Sequence, residues 1–264
     1  MRPFAVLGIG ALALVGCFLT LPVVAILTDT APGDLVASLD DGATLDALRL
    51  SLETSLVALV LIVLVGTPAA WRLATRSFRG RGLVVTLLEL PLVLPPAVAG
   101  LGLLAALGPQ GILGSALASA HVELVLRTAG VVVALTFVAA PFYLRQAQSA
   151  FGALEPSWLE ASRTLGAGEG RTFFRVAVPA ALPGLVAGGA LAWGRALGEF
   201  GATLMFAGSF RSVTQTAPLA IYERFSSDFT GALALSAVLV ALSGAILLGV
   251  KALVGTRGLG GPAG

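Results

Sequence analysis

The sequence predicts an all-α integral membrane protein with six transmembrane helices, on three observations. The 264 residues are 57% hydrophobic and only 11% charged, whereas a soluble domain carries about 25% charged residues. The mean hydropathy is +0.96. Six long apolar runs alternate with short polar or basic segments, and a helix needs about 20 apolar residues to cross a bilayer.

The first predicted span, residues 4–28, contains no charged residue. Arg2 and the Leu14–Cys17 segment resemble the start and cleavage box of a lipoprotein signal. The apolar run continues well past Cys17, however, and exceeds the roughly 7–15 residues of a signal core. We therefore interpret it as a transmembrane helix.

Cys17 is the single cysteine, which excludes an internal disulfide and a CxxC metal site.

The remaining spans are predicted at residues 50–74, 83–107, 123–144, 180–206 and 229–254. Pro95 and Pro96 interrupt the third span, and prolines free backbone groups inside a helix. This pair indicates either a simple kink or the hinge of a gate.

Polar connections separate these spans. Residues 29–46 hold five aspartates and no basic residue, and residues 108–122 hold the only histidine, His121, interpreted as a loop or interface residue. A further polar loop covers residues 208–228, and the Gly-rich tail at 258–264 is predicted to be disordered. The whole chain is treated as one transmembrane domain.

The distribution of arginine predicts the orientation. The cluster between Arg72 and Arg81, the loop at 145–179 and the C-terminal segment are all basic. Six spans place all three on one side of the membrane, and basic loops face the cytoplasm. Both termini and the 145–179 loop are therefore expected in the cytoplasm. The net charge of +2 is explained by topology, and nucleic acid is not expected as a partner.

The segment from Glu155 to Gly184 is predicted to be a charged helix-turn-helix. Glu155 and Pro156 favour a helix start, and Gly166 is suited to a left-handed cap that ends the helix. Trp158, Leu159 and Leu165 lie at roughly helical spacing and would form an apolar stripe.

This segment resembles the "EAA" loop of ABC-importer permease subunits. Glu160-Ala161-Ser162, Gly166 and Val176-Ala177-Val178-Pro179 reproduce its spacing, with Ser162 and Val178 replacing an alanine and a leucine. The resemblance implies a type I ABC-importer permease fold and a cytoplasmic helix that couples to a separate ATP-binding subunit. The coupling residues it implies are Glu160, Ala161, Ser162, Gly166, Phe173, Val176 and Pro179.

Arg195 and Glu199 are ionisable residues inside the fifth predicted span, where such groups are costly and default to functional hypotheses. They are four residues apart and can pair on one helical face. One interpretation places Arg195 beside an anion pathway, with Glu199 preventing the anion from being trapped. The other is a structural ion pair that ties the span to its neighbours, through Glu89 or Glu53. Pro95, Pro96, Arg195 and Glu199 are thus candidate pathway or gate residues.

No catalytic or nucleotide-binding set is recognisable. The run from Gly166 to Thr172 falls short of a phosphate-binding loop, because its glycine spacing is one residue short and Arg171 stands where lysine is needed. A single histidine cannot form a zinc motif. We therefore expect neither an enzyme nor a metal or cofactor on this chain. ATP and Mg²⁺ would bind to the partner.

Further segments resemble molybdate permease subunits, namely Leu90–Pro96, Leu107–Gly111, Arg195–Gly208 and Thr214–Tyr222. The resemblance implies a homodimer in the bacterial inner membrane, surrounded by lipid. Two ATP-binding subunits would lie below it, and an extracytoplasmic oxyanion-binding protein above it. Sulfate or tungstate transport is the alternative of the same class. An ion-coupled secondary transporter using Glu53, Glu89 and Glu199 is the alternative of another class, and a membrane enzyme is the weakest.

Overall fold

The computed structural model describes the backbone of residues 2–254. Thirteen α-helices and one π-helical turn, and no strand, are found in that range. The predicted tail at 258–264 and the side chain of Lys251 lie outside the described residues.

The first seven helices are α1 (Arg2–Asp29), α2 (Pro32–Asp40), α3 (Gly42–Thr75), α4 (Arg81–Val93), α5 (Pro96–Leu107), α6 (Gly114–Ser119) and α7 (Thr128–Gly152). The chain continues with α8 (Pro156–Thr164), α9 (Glu169–Thr172), the π turn (Phe173–Ala177), α10 (Val178–Leu197), α11 (Gly201–Ala207), α12 (Ala217–Phe225) and α13 (Phe229–Val254).

Five of these segments are long and apolar enough to cross a membrane: Phe4–Asp29, Gly42–Thr75, Thr128–Gly152, Glu169–Leu197 and Phe229–Val250. A sixth span is obtained if α4 and α5 count as one crossing, although the chain bends by 119° between them. The all-α membrane architecture expected from the sequence is therefore confirmed.

The helices α3, α7 and α10 form the core. Their residues in the main core cluster extend from Ala58 to Trp71, from Val131 to Phe151 and from Ala181 to Ala196. Small residues bring the backbones together: a Cβ added at Gly188 would lie only 2.9 Å from Cβ of Gln146. Close packing of this kind, rather than water exclusion, holds helices together in lipid.

The predicted third span is not one continuous helix. It consists of α4 and α5, separated at Leu94 and Pro95. The two consecutive prolines lack N–H donors, and a proline forces the preceding residue into extended backbone. Leu94 accordingly has φ −69° and ψ 131°. The predicted third span is therefore two helices with a break between them, and not one helix with a kink.

The other predicted boundaries also shift. The helix α3 begins at Gly42 instead of residue 50, and α7 covers Thr128–Gly152 instead of 123–144. The first eight residues of the predicted loop 145–179 therefore belong to α7. Arg145 can lie within this helix because its guanidinium reaches Glu89 of α4 at 3.3 Å. The polar connections contain the short helices α2, α6 and α12.

The helix α1 lies at the edge of the molecule. It packs against α13, and none of its most apolar window is buried within the chain. Apart from Ile26, its large apolar side chains are exposed from Phe4 to Leu27, as expected for a helix that faces lipid or another subunit. Cys17 is also exposed.

Asp41 lies between α2 and α3, at the end of α3 opposite Thr75, and connects both helices to α12. Its carboxylate accepts hydrogen bonds from the backbone N–H of Ala43 at 3.2 Å and of Thr44 at 3.3 Å, so it caps α3. It also pairs with Arg224 of α12. The hydrogen bond from Arg224 is the largest cause that lowers the pKa of Asp41 from 3.8 to about 2.

Replacing Asp41 with alanine is expected to lower the free energy of unfolding at neutral pH by about 1 kcal/mol, a typical value for an N-cap. Because the pKa of Asp41 is lower in the folded protein, its contribution is present above the unfolded pKa near 3.8 and is lost as the pH falls towards about 2. Thermal unfolding of both proteins in detergent should show that the difference in stability between wild type and Asp41→Ala becomes smaller as the pH falls through this range. Asp40→Ala, at an exposed neighbour, is the matched control. A difference that does not change with pH would contradict the assignment.

Candidate functional site

The segment after α7 forms the predicted helix-turn-helix. The helix α8 begins at Pro156, with Glu155 preceding it in extended backbone. The Glu155 carboxylate does not cap the backbone; it accepts a hydrogen bond from Oγ of Ser157 at 3.3 Å. At the other end, Gly166 has φ 77°, a left-handed conformation that favours glycine.

The end of α8 is closed by two backbone hydrogen bonds. The N–H of Gly166 donates to the carbonyl of Arg163 at 2.9 Å, and the N–H of Ala167 donates to the carbonyl of Ser162 at 3.0 Å. This pair of bonds is the Schellman motif, which satisfies carbonyl groups that have no partner inside the helix. The prediction of a left-handed cap at Gly166 is confirmed.

The predicted coupling residues divide into an exposed and an inner set. Glu160, Ala161 and Pro179 are exposed, Phe173 and Val176 are partly buried, and Ser162 is buried. The expected apolar stripe is also divided. Leu159 packs against the core, whereas Trp158 is half-exposed and Leu165 is 86% exposed. The described chain therefore leaves about half of Trp158 in α8 uncovered, and most of Leu165, the residue that follows the helix.

The inner set joins α8 to the body of the molecule. Oγ of Ser162 lies 2.9 Å from Oγ1 of Thr172 in α9, and both residues are buried. The next residue, Phe173, begins the π turn and packs its ring at 5.8 Å from Trp71 and 6.2 Å from Phe151, measured between centroids. A π turn inserts an extra residue into a helix and is frequent at functional positions.

The predicted fifth span is interrupted as well. The helix α10 ends at Leu197, and α11 begins at Gly201. Glu199 lies in this gap and is 1% exposed. Its Oε1 accepts a hydrogen bond from the N–H of Ala202 at 2.7 Å, which supplies a partner at the start of α11. The predicted span 180–206 therefore consists of two helices with a break at this point.

Arg195 and Glu199 form the predicted pair. Nη2 of Arg195 lies 2.6 Å from Oε2 of Glu199, and the arginine side chain keeps 27% of its surface exposed. The pairing of Arg195 with a neighbouring span is not observed among the described residues. Glu89 pairs instead with Arg145 at 3.3 Å, and Glu53 pairs with Arg49 at 2.6 Å within α3.

The two helix breaks meet in space. A Cβ added at Gly201 would lie 2.8 Å from Cβ of Pro96 and 3.3 Å from the backbone N of Ala97. A Cβ at Gly100 would lie 2.7 Å from the carbonyl oxygen of Ala202. The start of α5, which follows Pro95, therefore packs closely on the start of α11. The two helix breaks, which are about 100 positions apart in the sequence, thus lie beside each other in the fold.

His121 lies elsewhere. It follows α6 in a left-handed conformation, with φ 56°, and lines a cavity of about 780 Å³ together with Arg127 and Phe210. The interpretation of His121 as a loop residue agrees with this position. Within the described residues, no group of three or more His, Cys, Asp or Glu could hold a metal ion.

Two connections near α8 were not predicted. Arg76, interpreted only as an orientation signal, forms an ion pair with Glu169. Trp71 and Phe151 were not singled out, although they contact each other at 5.3 Å between ring centroids. No local pattern identifies these partners, because 93 positions separate Arg76 from Glu169.

Comparison with known proteins identifies the family. The family described as "Binding-protein-dependent transport system inner membrane component" matches residues 62–257. The chain is 41% identical over 239 residues to the molybdenum transport system permease protein ModB of Mycobacterium tuberculosis (strain ATCC 25618 / H37Rv), and the match covers 89% of each chain. It is 36% identical over 208 residues to the sulfate transport system permease protein CysT of Escherichia coli (strain K12), covering 78% of this chain and 75% of that protein.

Solved structures show the same fold. A chain in the crystal structure of a bacterial alginate ABC transporter superposes with a TM-score of 0.73 at 15% identity, covering 96% of this chain and 94% of that chain. A chain of the inward-facing MetNI methionine ABC transporter gives a TM-score of 0.59 at 19% identity, covering 80% and 93%. Together with the family match over residues 62–257, these findings show that the chain belongs to the binding-protein-dependent transport system inner membrane components and is the permease subunit of an ABC importer, not an enzyme.

Proposed function

We propose that this permease imports molybdate. The observation that carries the proposal is its 41% identity over 89% of the chain to a molybdenum permease, against 36% over 78% to a sulfate permease. Tungstate is a tetrahedral oxyanion of nearly the same size and would follow the same route. Sulfate is the second candidate, because sulfate permeases are also similar.

The helix α8 is the proposed contact with the ATP-binding subunit. Its exposed face presents Glu160 and Ala161 together with the apolar side chains of Trp158 and Leu165. An apolar group surrounded by polar residues is typical of a protein interaction site. Ser162, Gly166, Phe173, Val176 and Pro179 would hold this face in place. ATP and Mg²⁺ would be bound by two ATP-binding subunits, and this chain would contribute no ligand to them.

The proposed pathway lies along the two-fold axis of a homodimer. One chain of this size is too small to enclose a path by itself, and a symmetric pair is the usual solution. Arg195 would meet the anion, because its guanidinium has five N–H donors and remains partly exposed. Glu199 would neutralise part of that charge, so that the anion is bound weakly enough to leave. Pro95 and Pro96 would form the hinge beside it.

The proposed orientation places α8 and both termini in the cytoplasm. The ion pair between Arg76 and Glu169 joins the arginine cluster at 72–81 to the α8 end of the molecule. The aspartates of residues 29–46 precede or begin α3 and lie towards its opposite end. Because basic residues are concentrated on the cytoplasmic side of membrane proteins, arginines at the α8 end and aspartates at the opposite end support a cytoplasmic position for α8. An oxyanion-binding protein would then dock on the outer loops.

Uptake by the complete transporter tests this proposal. The chain would be reconstituted in proteoliposomes with its ATP-binding subunit, and the oxyanion-binding protein would be added outside. Uptake of labelled molybdate is expected to require ATP. A large excess of unlabelled tungstate should abolish it, whereas the same excess of sulfate should leave it nearly unchanged.

Two outcomes would contradict the proposal. Suppression of uptake by sulfate as strong as that by tungstate would assign the chain to the sulfate permeases. Uptake that continues when the ATP-binding subunit is omitted would remove the proposed role of α8. Liposomes containing the ATP-binding subunit alone provide the background for both measurements.

A further inference from the structure

The helix α8 is attached to the rest of the molecule through few elements. It packs mainly against α9 and the π turn, and the hydrogen bond between Ser162 and Thr172 is its buried polar link. Besides Leu159, which packs against the core, and the short connection to α7, these two elements are the route by which a displacement of α8 reaches the rest of the molecule.

The helix α9 is in turn connected to α3, which is distant in sequence. The guanidinium of Arg76, at the end of α3, pairs with the Glu169 carboxylate at the start of α9. The positive charges of Arg72 and Arg163 also act on this carboxylate. Both partners remain about half-exposed. Since exposed ion pairs contribute little to folding stability, stability alone does not account for this contact.

The π turn is connected to α3 and α7 by aromatic rings. Trp71 of α3, Phe151 of α7 and Phe173 of the π turn form a closed group of three, with centroids 5.3–6.2 Å apart. Trp71 and Phe151 are buried. Close-packed interiors transmit displacement instead of absorbing it, so this group joins the base of α8 to two core helices.

We propose that Arg76 and Glu169, together with the aromatic group, clamp α8 to α3 and α7, so that these helices move with α8 as one body during transport. The inference rests on the proposed docking of an ATP-binding subunit on α8. Arg76 and Glu169 are positioning residues in this scheme. The motion is taken up where the helices are interrupted, at Leu94–Pro95 and at residues 198–200, since interrupted helices are the positions where backbone angles can change.

The test measures the number of anions imported per ATP hydrolysed by the complete transporter. Arg76→Glu places two carboxylates together and is expected to lower this ratio at least fivefold. The exchanged variant, with Arg76→Glu and Glu169→Arg combined, should restore it to within about twofold of wild type. Arg79→Glu, in the same loop and without an ion pair among the described residues, is the matched control and should leave the ratio unchanged. Arg76→Gln, which removes the pair without adding repulsion, should give an intermediate value.

The ratio separates a coupling role from a purely structural one. Loss of folded complex would lower uptake and ATP hydrolysis together and would leave the ratio as in wild type. An unchanged ratio in both Arg76→Glu and Arg76→Gln, or an exchanged variant no better than the single variants, would overturn the clamp. Failure of the proposed function is seen differently, because wild-type protein itself would then show no ATP-dependent uptake or would not co-purify with the ATP-binding subunit.

Discussion

Replacing Glu199 with alanine is expected to lower the free energy of unfolding by about 3 kcal/mol, because removing one partner of a buried ion pair leaves the other charge uncompensated. Glu199 is 1% exposed, forms an ion pair with the guanidinium of Arg195, and accepts a hydrogen bond from the N–H of Ala202. The estimate is at the low end of the usual range because Arg195 retains access to solvent. Denaturant unfolding of the detergent-solubilised protein measures the change.

The matched control is Glu53→Ala. Arg49 and Glu53 have the same spacing of four residues and the same 2.6 Å separation, but their side chains are 79% and 57% exposed. An exposed pair of this kind contributes little to stability, so Glu53→Ala should change the free energy of unfolding much less than Glu199→Ala does. Glu199→Gln should lower the free energy of unfolding by less than Glu199→Ala and by more than Glu53→Ala. The amide oxygen of glutamine can still accept the hydrogen bond from the N–H of Ala202, although the charge is lost. Equal effects of Glu199→Ala and Glu53→Ala would show that the gap between α10 and α11 does not depend on Glu199.

The second large effect is expected from Gly166→Val, which should reduce ATP-driven uptake at least tenfold. Gly166 has φ 77°, and a side chain in the left-handed region costs about 1–2 kcal/mol, more when it is β-branched. A cost of about 2 kcal/mol shifts a local equilibrium roughly 30-fold. We expect the last turn of α8 to open, so that Leu165 and its neighbours lose their positions against the ATP-binding subunit. Uptake and co-purification of that subunit are the measurements.

Gly168→Val provides the control two residues away. Gly168 is also exposed, but its φ of −66° and ψ of 164° are accessible to any residue. A Cβ at either glycine would meet nothing within 4 Å, so the two variants differ in backbone conformation and not in crowding. Uptake retained by Gly166→Val, or lost equally in Gly168→Val, would contradict the requirement for a left-handed cap.

The family assignment confirms the resemblance inferred from Glu160 to Pro179, and it overturns the alternative of an ion-coupled secondary transporter. Members of this family are membrane components of binding-protein-dependent systems. The departure at Ser162 also has a structural consequence. A serine at this position contacts Thr172 in a buried environment, whereas the alanine of the family pattern has no hydroxyl to do so.

The features that depend on neighbouring residues were predictable from the sequence. The apolar runs identify the membrane helices because lipid offers no hydrogen-bond partner to the backbone, and a long apolar helix satisfies its backbone groups internally. Pro156 and Gly166 mark the two ends of α8 because the constraints of proline and glycine are local. The pairing of Arg195 with Glu199 follows from their spacing of four residues.

Tertiary structure alone decided the relations between distant segments. The sequence does not show that Pro96 meets Gly201, that Glu199 leaves the helix to bind the N–H of Ala202, or that Arg76 selects Glu169. Several carboxylates were available to each arginine, and the choice depends on which helices approach closely. The helices α3, α7 and α10 pack through small residues, and one additional methyl group at such a residue would keep the helices further apart. Local patterns therefore define the helices and their ends, whereas packing defines which ends meet.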